Sequence, residues 1–394
     1  MMPHNKYLVL VSSFLLFLCL GINYSWSIIA QELRANHGFS MASSQAIFSV
    51  YQLVFTIAFI LGGRLLDKLG PVVSGIVGSV FFGTGFLLAG FLPLTPICLM
   101  FSIGLFSGIG LGVAYASPIY AAQKTFPKHT SLATGFTVAS FGISAVCFSF
   151  ISEFLLGRQW NLSTMFRLYG IIFIAVGWLA SLGLNVPEHG KEKVVAPAVR
   201  SISVLTSRAY WMLIAPMFAG LFAGLMVISN LKTIGLKWGM VPYIAAIGVS
   251  IIALTNAFGR IGWGYVAHKW NEETAIRFSL IIQAASLLFA AFFVRTPALF
   301  IIFAAIAGFN YGANLVLYAS FVTRIFGIEA FGRIYPLVFL CNGVAGFLGP
   351  MTGGYIYDVT GSYFWAVTAA GILCILGLVI FEILRPHKVP DRVL

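Results

Sequence analysis

The chain has 394 residues, 60% of them hydrophobic and only 9% charged. A soluble globular surface carries about 25% charged residues, so a soluble enzyme and a nucleic-acid-binding protein are excluded despite the formal net charge of +12. A disordered chain is excluded by the same composition. What remains is a multi-pass helical membrane protein, because each spanning helix consumes about 20 apolar residues.

Taken in chain order, the apolar runs are 7–31, 44–66, 71–92, 96–123, 131–155, 164–185, 210–231, 242–267, 275–294, 297–323, 333–356 and 363–384, twelve predicted spans in an all-α fold. The first, Tyr7 to Ala30, is too long for a signal-peptide core and reads as a span. The only long polar break is 186–209, read as a cytoplasmic linker between a six-helix half at 1–185 and another at 210–394. The cysteines are Cys19, Cys98, Cys147, Cys341 and Cys374. Their number is odd and no CxxC pair occurs, so they read as small packing residues rather than disulfide partners or zinc ligands. No cofactor or metal is expected.

The basic residues set the expected orientation. With the N-terminus in the cytoplasm, sixteen of the 23 Lys and Arg fall on the cytoplasmic side, six fall outside, and Arg260 lies within a span. The expectation is a cell-membrane protein with both termini inside, working as a monomer. The net charge is then a matter of topology. An internal repeat supports two halves. Gly63-Arg-Leu-Leu-Asp67-Lys68 answers Gly264-Tyr-Val-Ala-His268-Lys269 at an offset of 201, and Tyr115-Ala-Ser-Pro118 answers Tyr318-Ala-Ser-Phe321 at an offset of 203. Duplicated helical halves with a midplane site are a transporter design.

The run Gly63-x-Leu65-x-Asp67-Lys68-x-Gly70 resembles the loop signature of the major facilitator superfamily; the second copy has His268 where the acid would stand. Tyr24-Ser-Trp26-Ser, Phe126-Pro127-Lys128 followed by Leu132-Ala133-x-Gly135, and Gly349-Pro350 followed by Tyr357-Asp358-x-Thr360-Gly361-Ser362-Tyr363 are similar to the oxalate/formate antiporters and monocarboxylate transporters. The resemblance extends over nearly the whole chain and implies carboxylate transport by alternating access, with Gly63, Asp67, Lys68 and Gly70 as the gating loop.

Arg260 is the strongest site candidate. It sits about 10 Å inside predicted helix 8, at 1.5 Å per residue. A charge at such depth costs from about 2.5 to over 10 kcal/mol, so it should face a cavity. The competing reading is a side chain snorkelling to the interface. As an anchor, its planar fork would grip a carboxylate through paired hydrogen bonds. Asn256 lies one turn earlier on the same face. The resemblance adds that an Arg at this place binds substrate, that related members carry an acid where Asn256 stands, and that oxalate carriers place a Lys at the position of Asn342. It also matches Tyr311, Phe339 and Tyr115 to aromatic pocket residues. Asn23, Tyr24, Tyr51 and Gln52 are further polar groups at membrane depth, with interhelical hydrogen bonding as the alternative.

No acid lies mid-helix, and no nucleotide loop or nucleophile–base pair is present, so no catalytic constellation stands out. The expected function is transport of a small monocarboxylate, such as lactate or pyruvate, with a proton across the lipid bilayer. Two alternatives stay open: an exchanger of the oxalate/formate kind, and a sensor that binds carboxylate without moving it.

Overall fold

The computed structural model describes residues 5–22, 26–39, 41–186 and 205–385. Among these the secondary structure is helical, without strands. The helices are α1 (Lys6–Leu20), α2 (Trp26–Asn36), α3 (Met41–Phe91), α4 (Pro96–Leu99), α5 (Gly108–Ala114), α6 (Ala116–Thr125), α7 (Thr130–Gly157) and α8 (Leu162–Leu182). They continue as α9 (Arg208–Lys237), α10 (Pro242–Lys269), α11 (Glu272–Phe293), α12 (Pro297–Phe326), α13 (Phe331–Thr360) and α14 (Phe364–Leu384). Ten stretches of the described residues are long and apolar enough to cross a membrane.

One of those stretches, Ala46–Phe91, is two predicted spans joined end to end. Gly70 breaks it with φ 79° and ψ 175°, a backbone conformation that side chains with a Cβ avoid, and Pro71 then starts the second piece. The predicted span 96–123 is also interrupted. Met100–Ser107 forms a π-helical stretch between α4 and α5, and the Ser107 hydroxyl donates to the Phe82 carbonyl of α3 at 2.9 Å. The predicted first span corresponds to α1 and α2 on either side of residues outside the description, 23–25.

Helix starts follow local chemistry. Asn5, Thr95, Asn161, Ser207, Asn271 and Thr296 each accept a backbone N–H two or three residues on, satisfying donors the first helical turn leaves open. Pro96, Pro242 and Pro297 occupy first-turn positions where no N–H is needed.

The chain clusters into two compact units. Unit 1 gathers Met1–Ala133, Thr137–Val194 and Ile328–Leu337; unit 2 gathers Thr134–Phe136, Val195–Gly327 and Val338–Leu394. Inside unit 1 an aromatic core of Phe82, Phe86, Phe148, Tyr169 and Phe173 joins α3, α7 and α8, with the Tyr169 hydroxyl 2.7 Å from Ser152 Oγ. In unit 2 the helix ends are tied by charge. Arg324 at the end of α12 pairs with Glu272 at 3.2 Å and Glu273 at 3.5 Å in the first turn of α11, and Arg385 reaches Glu273 at 3.0 Å. Acids at a helix start and a base at a helix end also suit the backbone dipoles. Arg208 donates to the carbonyls of Ile383 and Leu384, closing α14.

Candidate functional site

Arg260 stands in the second half of α10, nine residues before its last residue Lys269. It is 0% exposed and heads the largest fully buried side chains of the described chain. Asn256, four residues earlier, is buried too. The backbone at this turn is pressed against α12. A Cβ on Gly312 would lie 2.7 Å from the Asn256 carbonyl oxygen and 2.8 Å from the Arg260 nitrogen, so only glycine lets α12 approach so closely. The side chain next to Gly312 is Tyr311, buried with its ring over Gly224 of α9. Sequence positions more than 50 residues apart are thus brought to one place in unit 2. Phe339 and Asn342, both on α13, are buried in the same unit.

A guanidinium has five N–H donors in a fixed fork and does not lose its proton. In an apolar interior it favours an anion with two coplanar oxygens. Among the described residues no three of His, Cys, Asp or Glu come together as a metal would require.

Tyr115 lies in unit 1, between α5 and α6, and is buried in aromatic company. Its ring sits 5.0 Å from Phe17, 5.2 Å from Phe59, 5.4 Å from Phe55 and 5.8 Å from Phe141, three of these contacts edge-on and the one with Phe55 tilted. Phe59 also meets Tyr335 at 5.7 Å. The repeat offset of 201 that pairs Gly63 with Gly264 pairs Phe55 with Asn256 and Phe59 with Arg260. Where unit 2 carries an amide and a guanidinium, unit 1 carries two phenyl rings.

The loop signature is held within unit 1. Asp67 pairs with Arg333 at 3.0 Å, and Lys124 pairs with Glu329 at 3.3 Å while donating to the Tyr120 oxygen at 3.0 Å. Gly63 and Gly332 pack backbone to backbone, and Gly70 supplies the break already described. The two salt bridges draw Lys124, Glu329, Asp67 and Arg333 from positions the sequence scatters over more than 250 residues.

The motif from Tyr357 to Tyr363 is a turn that ties α9, α13 and α14 in unit 2. Gly361 has φ 67°. The Ser362 and Phe364 backbone N–H groups donate to Thr360 Oγ1 and Ser362 Oγ. Tyr357 stacks on Tyr363 with centroids 4.8 Å apart, and the Tyr363 hydroxyl donates to Asn230 Oδ1 at 3.2 Å.

Of the other candidates, Tyr51 is buried and Gln52 half-buried, both on α3 in unit 1. Asn23 and Tyr24 fall outside the described residues, as do 187–204 of the expected linker. Sequence reasoning passed over Asn310, Asn314 and Gln283, all buried in unit 2. Gln283 donates to the Gly220 carbonyl at 3.0 Å, Asn314 abuts Gly220, and neither amide atom of Asn310 has a protein partner. The signal was available: each is an amide inside an apolar run, the feature that singled out Asn256.

The profile of the Major Facilitator Superfamily matches residues 9–296 and 245–394. The chain is 26% identical over 351 residues to the oxalate:formate antiporter of Oxalobacter formigenes, covering 88% of this chain and 83% of that one. It is 27% identical over 357 residues to monocarboxylate transporter 13 of Rattus norvegicus, covering 88% and 81%. Its fold is similar to the fucose:proton symporter of E. coli, with a TM-score of 0.74, 14% identity and 97% and 99% of the two chains covered. It is similar also to the human organic anion transporter MFSD10, with a TM-score of 0.73, 14% identity and 96% and 100% covered.

Proposed function

Because the chain belongs to the major facilitator superfamily, a family of membrane transporters rather than enzymes, we propose that it carries a small monocarboxylate of the lactate or pyruvate type, together with a proton, by alternating access. The observation that carries this reading is the wholly buried Arg260 guanidinium on α10, beside Asn256 and against the Tyr311 turn of α12. A cation held at that depth is costly unless an anion uses it. The names of the Oxalobacter and rat relatives support a carboxylate.

Charge number favours one carboxylate over two. No Lys or Arg lies in 334–356, and Asn342 stands where a second cation is expected for a dianion. A second carboxylate left unpaired in a low-dielectric site would cost several kcal/mol. We propose Arg260 as the anchor, with Asn256, Asn342, Tyr311 and Phe339 of the same unit as companions, and both termini in the cytoplasm.

Arg260 cannot release a proton in the usable pH range. The proton travels on the substrate carboxylate or on an acid of the loops or helix ends, such as Asp67 or Glu153. One cation is cheaper to occlude than two, so return of the empty carrier is feasible, which favours symport over obligatory exchange. The Oxalobacter match keeps exchange as the second reading. Liposomes holding the pure protein and no internal substrate decide between them. The expected result is uphill lactate uptake driven by an imposed pH gradient. Uptake only after preloading with a counter-anion, with no response to pH, overturns symport in favour of exchange. Saturable binding without uptake of any kind identifies a sensor.

A further inference from the structure

Tyr115-Ala-Ser-Pro118 is one of the two repeated motifs, and the carboxylate reading uses only its tyrosine. Two rungs bring the second piece of α3 against the helix that carries this motif. Phe82 meets Gly110, and Gly78 meets Ala114, backbone close to backbone. The helices run antiparallel, so four residues back on α3 answer about four residues forward on the other. Continued at that spacing, the next rung places Ser74 opposite the Ser117–Pro118 step. Positions 82, 78 and 74 share one helix face; so do 110, 114 and 117.

Both hydroxyls are 0% exposed, and neither has a protein hydrogen-bond partner. A serine in a helix ordinarily donates to a carbonyl three or four residues earlier. Ser320, the counterpart of Ser117 in α12, does so, with Val316 and Leu317 each at 3.1 Å. Ser117 does not. Its neighbour Pro118 has no N–H, so it offers none to the Ala114 carbonyl four residues before it. Phe321 stands at this place in the second half and keeps its N–H. The helix spacing therefore brings two buried hydroxyls and one carbonyl deprived of its helical donor to the same step of this helix pair.

We infer that Ser74 Oγ, Ser117 Oγ and the Ala114 carbonyl hold a buried water molecule. Three partners are what a buried water ordinarily has. The count of donors balances: the water donates to the carbonyl and to one hydroxyl and accepts from the other. Water at this point supplies the hydrogen bond that Pro118 removes. It lets the helix bend one turn from Tyr115 without leaving a bare carbonyl in an apolar interior. Ser320, its counterpart in the second half, is satisfied within its own helix and needs no such water.

The test uses the full chain in detergent. Hydroxyl radicals generated by X-ray radiolysis modify side chains next to bound water. Pro118 and Tyr115, although buried, are expected to be modified in the wild-type protein, and this modification is lost in the Ser74→Ala/Ser117→Ala double variant. In thermal unfolding, each single variant is expected to lower the midpoint by a few degrees, and the double variant to fall no further than the worse single. Wild-type Pro118 left unmodified overturns the site. So do single variants that both raise the midpoint and add in the double, as the removal of two stranded hydroxyls would. The footprint is read on the wild-type chain and decides even where a variant does not fold.

Discussion

Phe55 and Phe59 in α3 occupy the positions that Asn256 and Arg260 occupy in α10, at the offset of the repeat. Their surroundings differ as their chemistry does. Phe59 sits among Phe55, Tyr115 and Tyr335, and its ring is buried by other rings. Arg260 is equally buried, but its backbone is pressed to a glycine of the neighbouring helix. The two copies share a helical frame and differ in chemistry at these two positions. A ring at this position stabilises a unit by burial and edge contacts. A guanidinium at the same position is costly to bury, which is why the proposed function gives it an anion to hold.

The largest effect is expected at the charged position. Truncating one partner of a buried, hydrogen-bonded charge pair costs about 2–5 kcal/mol. Arg260→Ala should therefore reduce lactate uptake by liposomes at least about 30-fold, while circular dichroism and the unfolding midpoint show a folded protein. Arg260→Lys should also lose most uptake, because the ammonium lacks the planar fork. Wild-type uptake by Arg260→Ala would leave the contrast between the halves without functional meaning.

Next comes the aromatic position. Phe59→Ala removes a buried ring with three aromatic neighbours, and phenylalanine truncations in cores cost about 3–5 kcal/mol. Its expected effect is on stability: a clearly lower unfolding midpoint, with a smaller change in the lactate affinity of the protein that remains folded. An affinity loss as large as that of Arg260→Ala, at an unchanged midpoint, would make Phe59 a second anchor and erase the division of labour.

A smaller effect, on selectivity, sharpens the same contrast. Asn342→Lys adds a second cation to the half that already holds one. Lactate transport should fall by about tenfold, roughly 1.4 kcal/mol, and oxalate or malonate should begin to compete in uptake. A wild-type protein that already binds oxalate more tightly than lactate in calorimetry would sink the one-cation reading.

Much of the molecule was legible in its composition and periodicity. Runs of about 20 apolar residues can only be helices in a bilayer, since every backbone polar group must be satisfied within the segment. The spans followed from that, and Arg260 was conspicuous because a charge stands out against such a background. The breaks were harder to see. Gly70 was visible as a residue, but the single continuous stretch it interrupts was not, and nothing in Met100–Ser107 announced a π-helical turn. Asn310, Asn314 and Gln283 were passed over because a lone amide in a span reads as helix–helix glue as readily as a site.

By itself, the sequence determined the solvent of each segment, the number and length of the runs, the repeat and the identity of the buried cation. These are properties of single residues and of local spacing. Only the tertiary structure decided which distant residues meet. It set Gly312 against the Asn256–Arg260 turn, surrounded Tyr115 with four phenyl rings, paired Asp67 with Arg333, and buried the Ser74 and Ser117 hydroxyls without a protein partner. The reason is physical. Hydropathy is summed along the chain, whereas close approach depends on which small residues from separate helices share a rung, and that register exists only once the helices are packed.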